Sequence, residues 1–136
     1  MPSSPARTQE VTPALRRWFV AHFAVDLAFA VPLFVAPEVT LELFGWSRVD
    51  PLSARMVAAA LFAIGTESLL MRKASAEAFR TMLDLKCLWS GAALLGLGLS
   101  LVQGAPPFAW LLLLTFAVFA VVWNYYRLAL RPSPSR

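Results

Sequence analysis

Five ionisable side chains stand inside stretches that are otherwise apolar: His22, Asp26, Glu67, Asp84 and Lys86. Carboxylates beside an imidazole can exchange protons or hold the polar head of a ligand. An ionisable residue within a membrane-spanning segment is read first as a functional candidate. Asp26 lies one residue from the middle of its apolar run, and His22, four residues earlier, shares its helical face. An isolated Asp at the bilayer centre costs about 2.5–3.5 kcal/mol, so Asp26 is expected to face other helices. Glu67 and His22 fall at similar depth on helices of opposite direction, roughly 7 Å from the centre. Asp84 and Lys86 enter the third apolar run from that same side, and Asn124 with Tyr125 occupies the matching end of the fourth. The candidate cluster is therefore His22, Asp26, Glu67, Asp84, Lys86, Asn124 and Tyr125, all toward one face of the membrane. Two readings stay open. As packing glue, Asp26 pairs with Lys86 and Glu67 with His22; as a pocket, the same groups receive a small molecule.

The elements that must position them are legible in the composition. The chain has 136 residues, 59% hydrophobic and 15% charged, with a mean hydropathy of +0.65. A soluble domain is nearer half apolar and a quarter charged, and disordered or disulfide-scaffold chains are excluded outright. Four apolar runs of about 20 residues match a hydrocarbon core about 30 Å thick, and in lipid such runs must be helices. The spacing predicts spans at about 14–36, 51–72, 76–102 and 107–129, with flexible tails at 1–12 and 131–136. Thr12-Pro13 and Asp50-Pro51 read as a capping side chain followed by proline at the first helical position; Ser75 reads as a third cap. Pro32, inside the first run, predicts a kink. That run is too long for a signal-peptide core and carries Asp26, so it is read as a retained helix.

Ten of the twelve Lys and Arg residues fall on one side of a four-pass layout; Arg48 and Arg55 fall on the other. This bias predicts both termini in the cytoplasm of an inner-membrane protein. Trp18, Trp123, Tyr125 and Tyr126 read as an aromatic belt at that boundary, Trp46 and Trp110 as its outer counterpart, and Trp89 as deep. Arg55 is expected to snorkel to headgroups. Between the first two spans, Val39, Leu43 and Phe44 share a helical face and Gly45 can end it, which predicts a short helix on the outer interface. The two remaining connections are short, so spans two and three, and three and four, are expected as close antiparallel neighbours. Small residues at four-residue spacing, Ala92-Gly96-Ser100 on the third span and Ala59-Ala63 on the second, are expected to let helices approach closely, first within the bundle and alternatively in a dimer. The fold class expected is all-α, a membrane-spanning antiparallel four-helix bundle with one short interfacial helix.

Several chemistries have no support. The lone Cys87 forms no disulfide or metal cluster, the single histidine forms no histidine metal site, and the basic residues are too dispersed for a nucleic-acid face. No phosphate loop, GxSxG, HExxH or CxxC is present, so neither a metal nor a cofactor is called for.

Pro37, Leu43-Phe44-Gly45, Arg55, Gly65 and Arg72-Lys73 together resemble the DoxX-like group of small bacterial four-helix membrane proteins, over residues 15–130. That resemblance implies the four-helix fold and a role beside membrane oxidoreductases, and it carries over no catalytic residue. A further likeness, to sterol-isomerase and sigma-2-receptor type bundles, rests on acids held inside a few helices. Three functions follow as expectations. The first is an accessory or interaction subunit, docking a membrane protein or a second copy. The second is an intramembrane binding module or isomerase for a small lipophile, using Asp26 and Glu67 tuned by His22. The third is a proton-coupled transporter acting as an oligomer.

Overall fold

The structure is a computed structural model that describes residues 10–130; the tail positions 1–9 and 131–136 lie outside the described residues. Five helices form: α1 (Pro13–Val35), α2 (Pro37–Leu43), α3 (Pro51–Leu70), α4 (Ala76–Val102) and α5 (Phe108–Ala129), with a 3₁₀ turn at Met71–Lys73 after α3. α1, α3, α4 and α5 are each long and apolar enough to cross a membrane. Large apolar side chains such as Val35, Leu88, Leu99 and Val121 are exposed along all of them. A continuous apolar surface of that extent belongs in lipid, and the chain is a multi-pass membrane protein with a helical-bundle fold.

The caps form where the sequence places them. Thr12 accepts from the Leu15 amide at 3.3 Å, Asp50 from the Leu52 and Ser53 amides at 3.2 Å, and Ser75 from the Ala78 amide at 3.4 Å. Pro32 lies inside α1 near its end. Thr40, on α2, donates to the Pro32 and Ala36 carbonyls at 3.1 and 2.7 Å, tying the short helix to the end of the long one. α2 buries Pro37 and Thr40 and leaves Val39 and Leu43 exposed, as a helix lying on a bilayer surface would. Gly45 follows it at φ +98°, a backbone geometry suited to glycine, and lies against Pro106 at the start of α5.

Basic residues turn out to close helix ends. Arg55, which is exposed, donates from Nε to the Phe34 carbonyl at 3.2 Å, at the end of α1. At the opposite end Arg72 reaches the Leu69 carbonyl at 2.6 Å, Arg16 the Arg72 carbonyl, and Arg80 the Leu130 carbonyl. Each cation meets carbonyls that the last turn leaves unpaired and the negative end of a helix dipole.

α1 packs along α3 and α4 along α5, while α3 and α4, joined by a short connection, meet through side chains without close backbone approach. Side-chain size explains this. The face α3 turns inward carries Ala54, Ala58, Leu61, Gly65 and Ser68. Small residues on that face let α1 come close, and at Gly65 a Cβ would stand 2.8 Å from the Asp26 Cβ. The seam passes beside Ala59 and Ala63, which are exposed. Ala92, Gly96 and Ser100 are exposed too, and a Cβ added at Gly96 would meet nothing within 4 Å. The small-residue row on α4 therefore packs no helix inside this bundle.

The two helix pairs are joined at the end where α1 begins and α5 stops. There Leu15, Phe19, Phe79, Met82, Leu83, Phe119, Trp123 and Leu130 form the buried core. Phe19 lies between Phe79 and Trp123, at ring separations of 4.6 and 5.5 Å. Trp123 is fully buried and is no part of an interfacial belt, because its ring stands on His22 and Phe119.

Candidate functional site

α1, α3 and α4 each bring polar residues to the middle of the bundle. On α1, the four-residue step from His22 to Asp26 puts both on the inward face, and they are 4% and 6% exposed. On α3, Ser68 follows Gly65 by one turn on the buried face. On α4, Lys86 belongs to the inward row with Met82, Leu83 and Ser90, and it is 1% exposed.

These residues form one connected cluster. Lys86 Nζ donates to Ser68 Oγ at 2.7 Å and lies 3.3 Å from His22 Nδ1. Ser68 passes its own proton back to the Ile64 carbonyl at 2.8 Å. The ammonium also stands 5.0 Å from the Phe19 ring centre and 5.2 Å from that of Trp123, within cation–π range. His22 Nδ1 is 3.1 Å from Asp26 Oδ2. One ring nitrogen cannot both accept from Lys86 and donate to Asp26. The geometry decides for Lys86, because Asp26 Oδ2 is enclosed and accepts no hydrogen bond. The buried cation is thus well held, and the buried carboxyl beside it lacks a donor.

The pairing differs from the sequence expectation. Lys86 binds Ser68 and His22, and Asp26 neighbours His22 on its own helix. Glu67 is half-buried, near enough to Lys86 to act on it electrostatically, and makes no pair with His22. Asp84, Asn124 and Tyr125 are not in the buried cluster. Asp84 is about half exposed and pairs with Arg127 across the outer face of α4 and α5. Asn124 is exposed and donates to the Ala120 carbonyl at 2.8 Å, and Tyr125 is 65% exposed. The reason is helical phase: on α4 Asp84 is two residues from Lys86, too short a step to share its face.

Next to the cluster lies a partly enclosed cavity of about 120 Å³. Its floor is His22 and Asp26, with Phe119. Its walls are aromatic and aliphatic, among them Phe29, Trp89, Phe116, Leu61 and Leu112. Its roof is Phe44, Trp46 and Phe108, where Phe44 and Phe108 stack at 3.8 Å with their planes 2° apart. The cavity runs from the middle of the bundle toward α2. A pocket in the half that carries the termini was the expectation, but that half is filled by the aromatic core. Glu67 does not line the cavity.

Ser68, which reads from the sequence as a hydroxyl bonded to backbone or an adjacent helix, and the two rings over Lys86, Phe19 and Trp123, stood outside the candidate cluster. A signal existed: Leu15 and Phe19 are one turn apart, as are Phe119 and Trp123, and Gly65 and Ser68, and each pair marks an inward stripe. Among the described residues no group of three or more His, Cys, Asp or Glu is placed to hold a metal ion. Comparison with family models, curated proteins and solved structures gives no match. Chemically, the arrangement can hold a mostly apolar molecule and fix its polar end at Asp26 and His22.

Proposed function

We propose that this protein is an intramembrane binding module for a small lipophilic ligand. The observation that carries this reading is the apolar cavity whose floor is the buried carboxyl of Asp26. A carboxyl needed only as interhelical glue would be hydrogen-bonded to a neighbouring helix; Asp26 Oδ2 accepts no hydrogen bond, and the residue lines a cavity. Ligand sites are typically concave, mostly apolar, and furnished with few convergent polar groups. This reading is preferred to the accessory-subunit one because nothing in the packing of the bundle calls for the cavity. The DoxX-like layout belongs to the proposal as well: of the residues that carry that likeness, Phe44 lines the cavity and Gly65 lies against Asp26. The Lys and Arg bias supports cytoplasmic termini, and with them a cavity on the outer side of the membrane centre.

The test uses bromobenzene, a heavy-atom quencher of indole fluorescence, titrated into the protein in lipid nanodiscs. Trp46 and Trp89 line the cavity and report on it. Saturable quenching is expected, and Leu112→Phe, which places a ring in the same space, should abolish it. Quenching that rises linearly with partitioning and is identical in Leu112→Phe overturns the reading.

A further inference from the structure

We infer that the ligand is a single-ring lipophile bearing one neutral hydrogen-bond donor, an aromatic alcohol of the phenol class, whose O–H is received by Asp26. This inference rests on the binding reading above and adds the chemistry of the ligand. Size sets the first limit. The cavity holds about 120 Å³, close to the roughly 150 Å³ of an engineered apolar cavity that takes up benzene. One ring fits. The walls set the second: Phe29, Phe116, Phe119 and Trp89 surround the space with rings, and aromatic groups prefer offset or edge-to-face partners of their own kind.

The floor decides the head group. Of the polar side chains that line the cavity, Thr115 already donates to the Leu111 carbonyl at 2.8 Å, and His22 Nδ1 is taken by Lys86. The acceptors left over are the Thr115 oxygen, a neutral group already tied to its own helix, and the carboxyl of Asp26, whose Oδ2 makes no hydrogen bond at all. A ketone or ether can only accept, whereas a hydroxyl can also supply the donor that Asp26 Oδ2 lacks. An ammonium would also donate, but the cluster already contains the buried cation Lys86, beside His22 and Ser68. A second cation at that depth meets like-charge repulsion in a low dielectric and loses its own hydration. A neutral O–H incurs neither penalty. Gly65 fixes where the acceptor stands, since any side chain there would collide with Asp26.

The experiment is displacement of bromobenzene quenching by phenol, toluene and benzylammonium, each compared at equal concentration in the nanodisc lipid. Phenol is expected to displace at about tenfold lower concentration than toluene, as one added hydrogen bond allows. Benzylammonium should be weaker than phenol. Asp26→Asn should erase most of the phenol preference while leaving toluene displacement in place. Gly65→Ala, which keeps the carboxyl but pushes it, should lower the same preference. Equal displacement by phenol and toluene in the unsubstituted protein overturns the donor inference and leaves the binding reading standing. So does benzylammonium outcompeting phenol. An absence of saturable quenching by bromobenzene overturns both.

Discussion

The same helices build a filled end and a hollow end. Where α1 begins and α5 stops, Phe19, Phe79, Phe119 and Trp123 interleave, and the large side chains bridge the gap between the two helix pairs. Toward α2 the gap is the same kind of space, but the residues that reach into it from α3 are Val57 and Leu61, and the rings at the top stack on each other. Lys86, Ser68, His22 and Asp26 stand at the border between the two. In lipid, burying an apolar side chain gains little by exclusion of water, so packing contact decides stability. The contrast shows that the filled end supplies cohesion, and that this cohesion permits an open space alongside it.

The strongest way to break that comparison is to remove a ring from each end. Trp123→Ala should destabilise by about 3–5 kcal/mol, the range for large aromatic deletions in a packed core. It also removes one of the two rings over Lys86. Phe116→Ala, on the cavity wall, should cost no more than about half of that, because one side of Phe116 already faces a void. Unfolding in mixed micelles with increasing dodecyl sulfate measures both. Equal costs would mean that the two ends are packed alike.

A smaller effect sharpens the same contrast by adding volume. Leu83 is fully buried in the filled end, and Leu83→Phe should destabilise by about 1–3 kcal/mol through overpacking. Leu112→Phe points a ring into the cavity and should be neutral or stabilising by up to about 1 kcal/mol. Opposite signs in the same unfolding assay are the expected outcome. A cost for Leu112→Phe equal to that for Leu83→Phe would show that the cavity closes when the protein is in lipid.

The element boundaries were legible because length, caps and prolines act locally: Thr12, Asp50 and Ser75 each begin the helix they precede. The site was legible in part. His22 and Asp26 share a face at four-residue spacing, and their place near the membrane centre marked them from the sequence. Lys86 was marked too, but its partners were not. Which helices lie close depends on the whole inward row of α3, and that row includes Gly65 and Ser68 instead of Ala59 and Ala63. The basic residues had two functions superimposed. Their clustering toward one end of the bundle reads from a count, whereas the carbonyl that Arg55 or Arg80 closes depends on tertiary neighbours 21 and 50 residues away. The outward position of Asp84 and Asn124 was concealed by a different fact: depth in the membrane is read from sequence distance, but orientation around the bundle is not.

The two ends also differ in how their helices are capped, and this gives the smallest effect. α1 and α4 start with hydroxyl caps, Thr12 and Ser75, at the filled end; α3 starts with the carboxylate of Asp50 at the hollow end. The Ser53 hydroxyl, then the Ser53 and Leu52 amides, hold the Asp50 carboxyl below its ordinary value of 3.8. A lowered folded-state value means that the contribution of the cap is complete above the unfolded value and is lost as the pH falls through the folded one. Between neutral pH and about pH 5 the first turn of α3 should therefore hold steady, and below pH 3.8 it should begin to loosen. Hydroxyl caps do not titrate, so the first turns of α1 and α4 should show no such change. Amide exchange in nanodiscs, corrected for intrinsic pH dependence, reads this at Leu52 and Ser53 against Leu15 and Ala78. Asp50→Asn, a good cap without the charge, should remove the acid-dependent step at α3 while keeping the helix start. A parallel loosening at all three helix starts would assign the acid response to the bundle as a whole, and the difference between the caps would have no part in it.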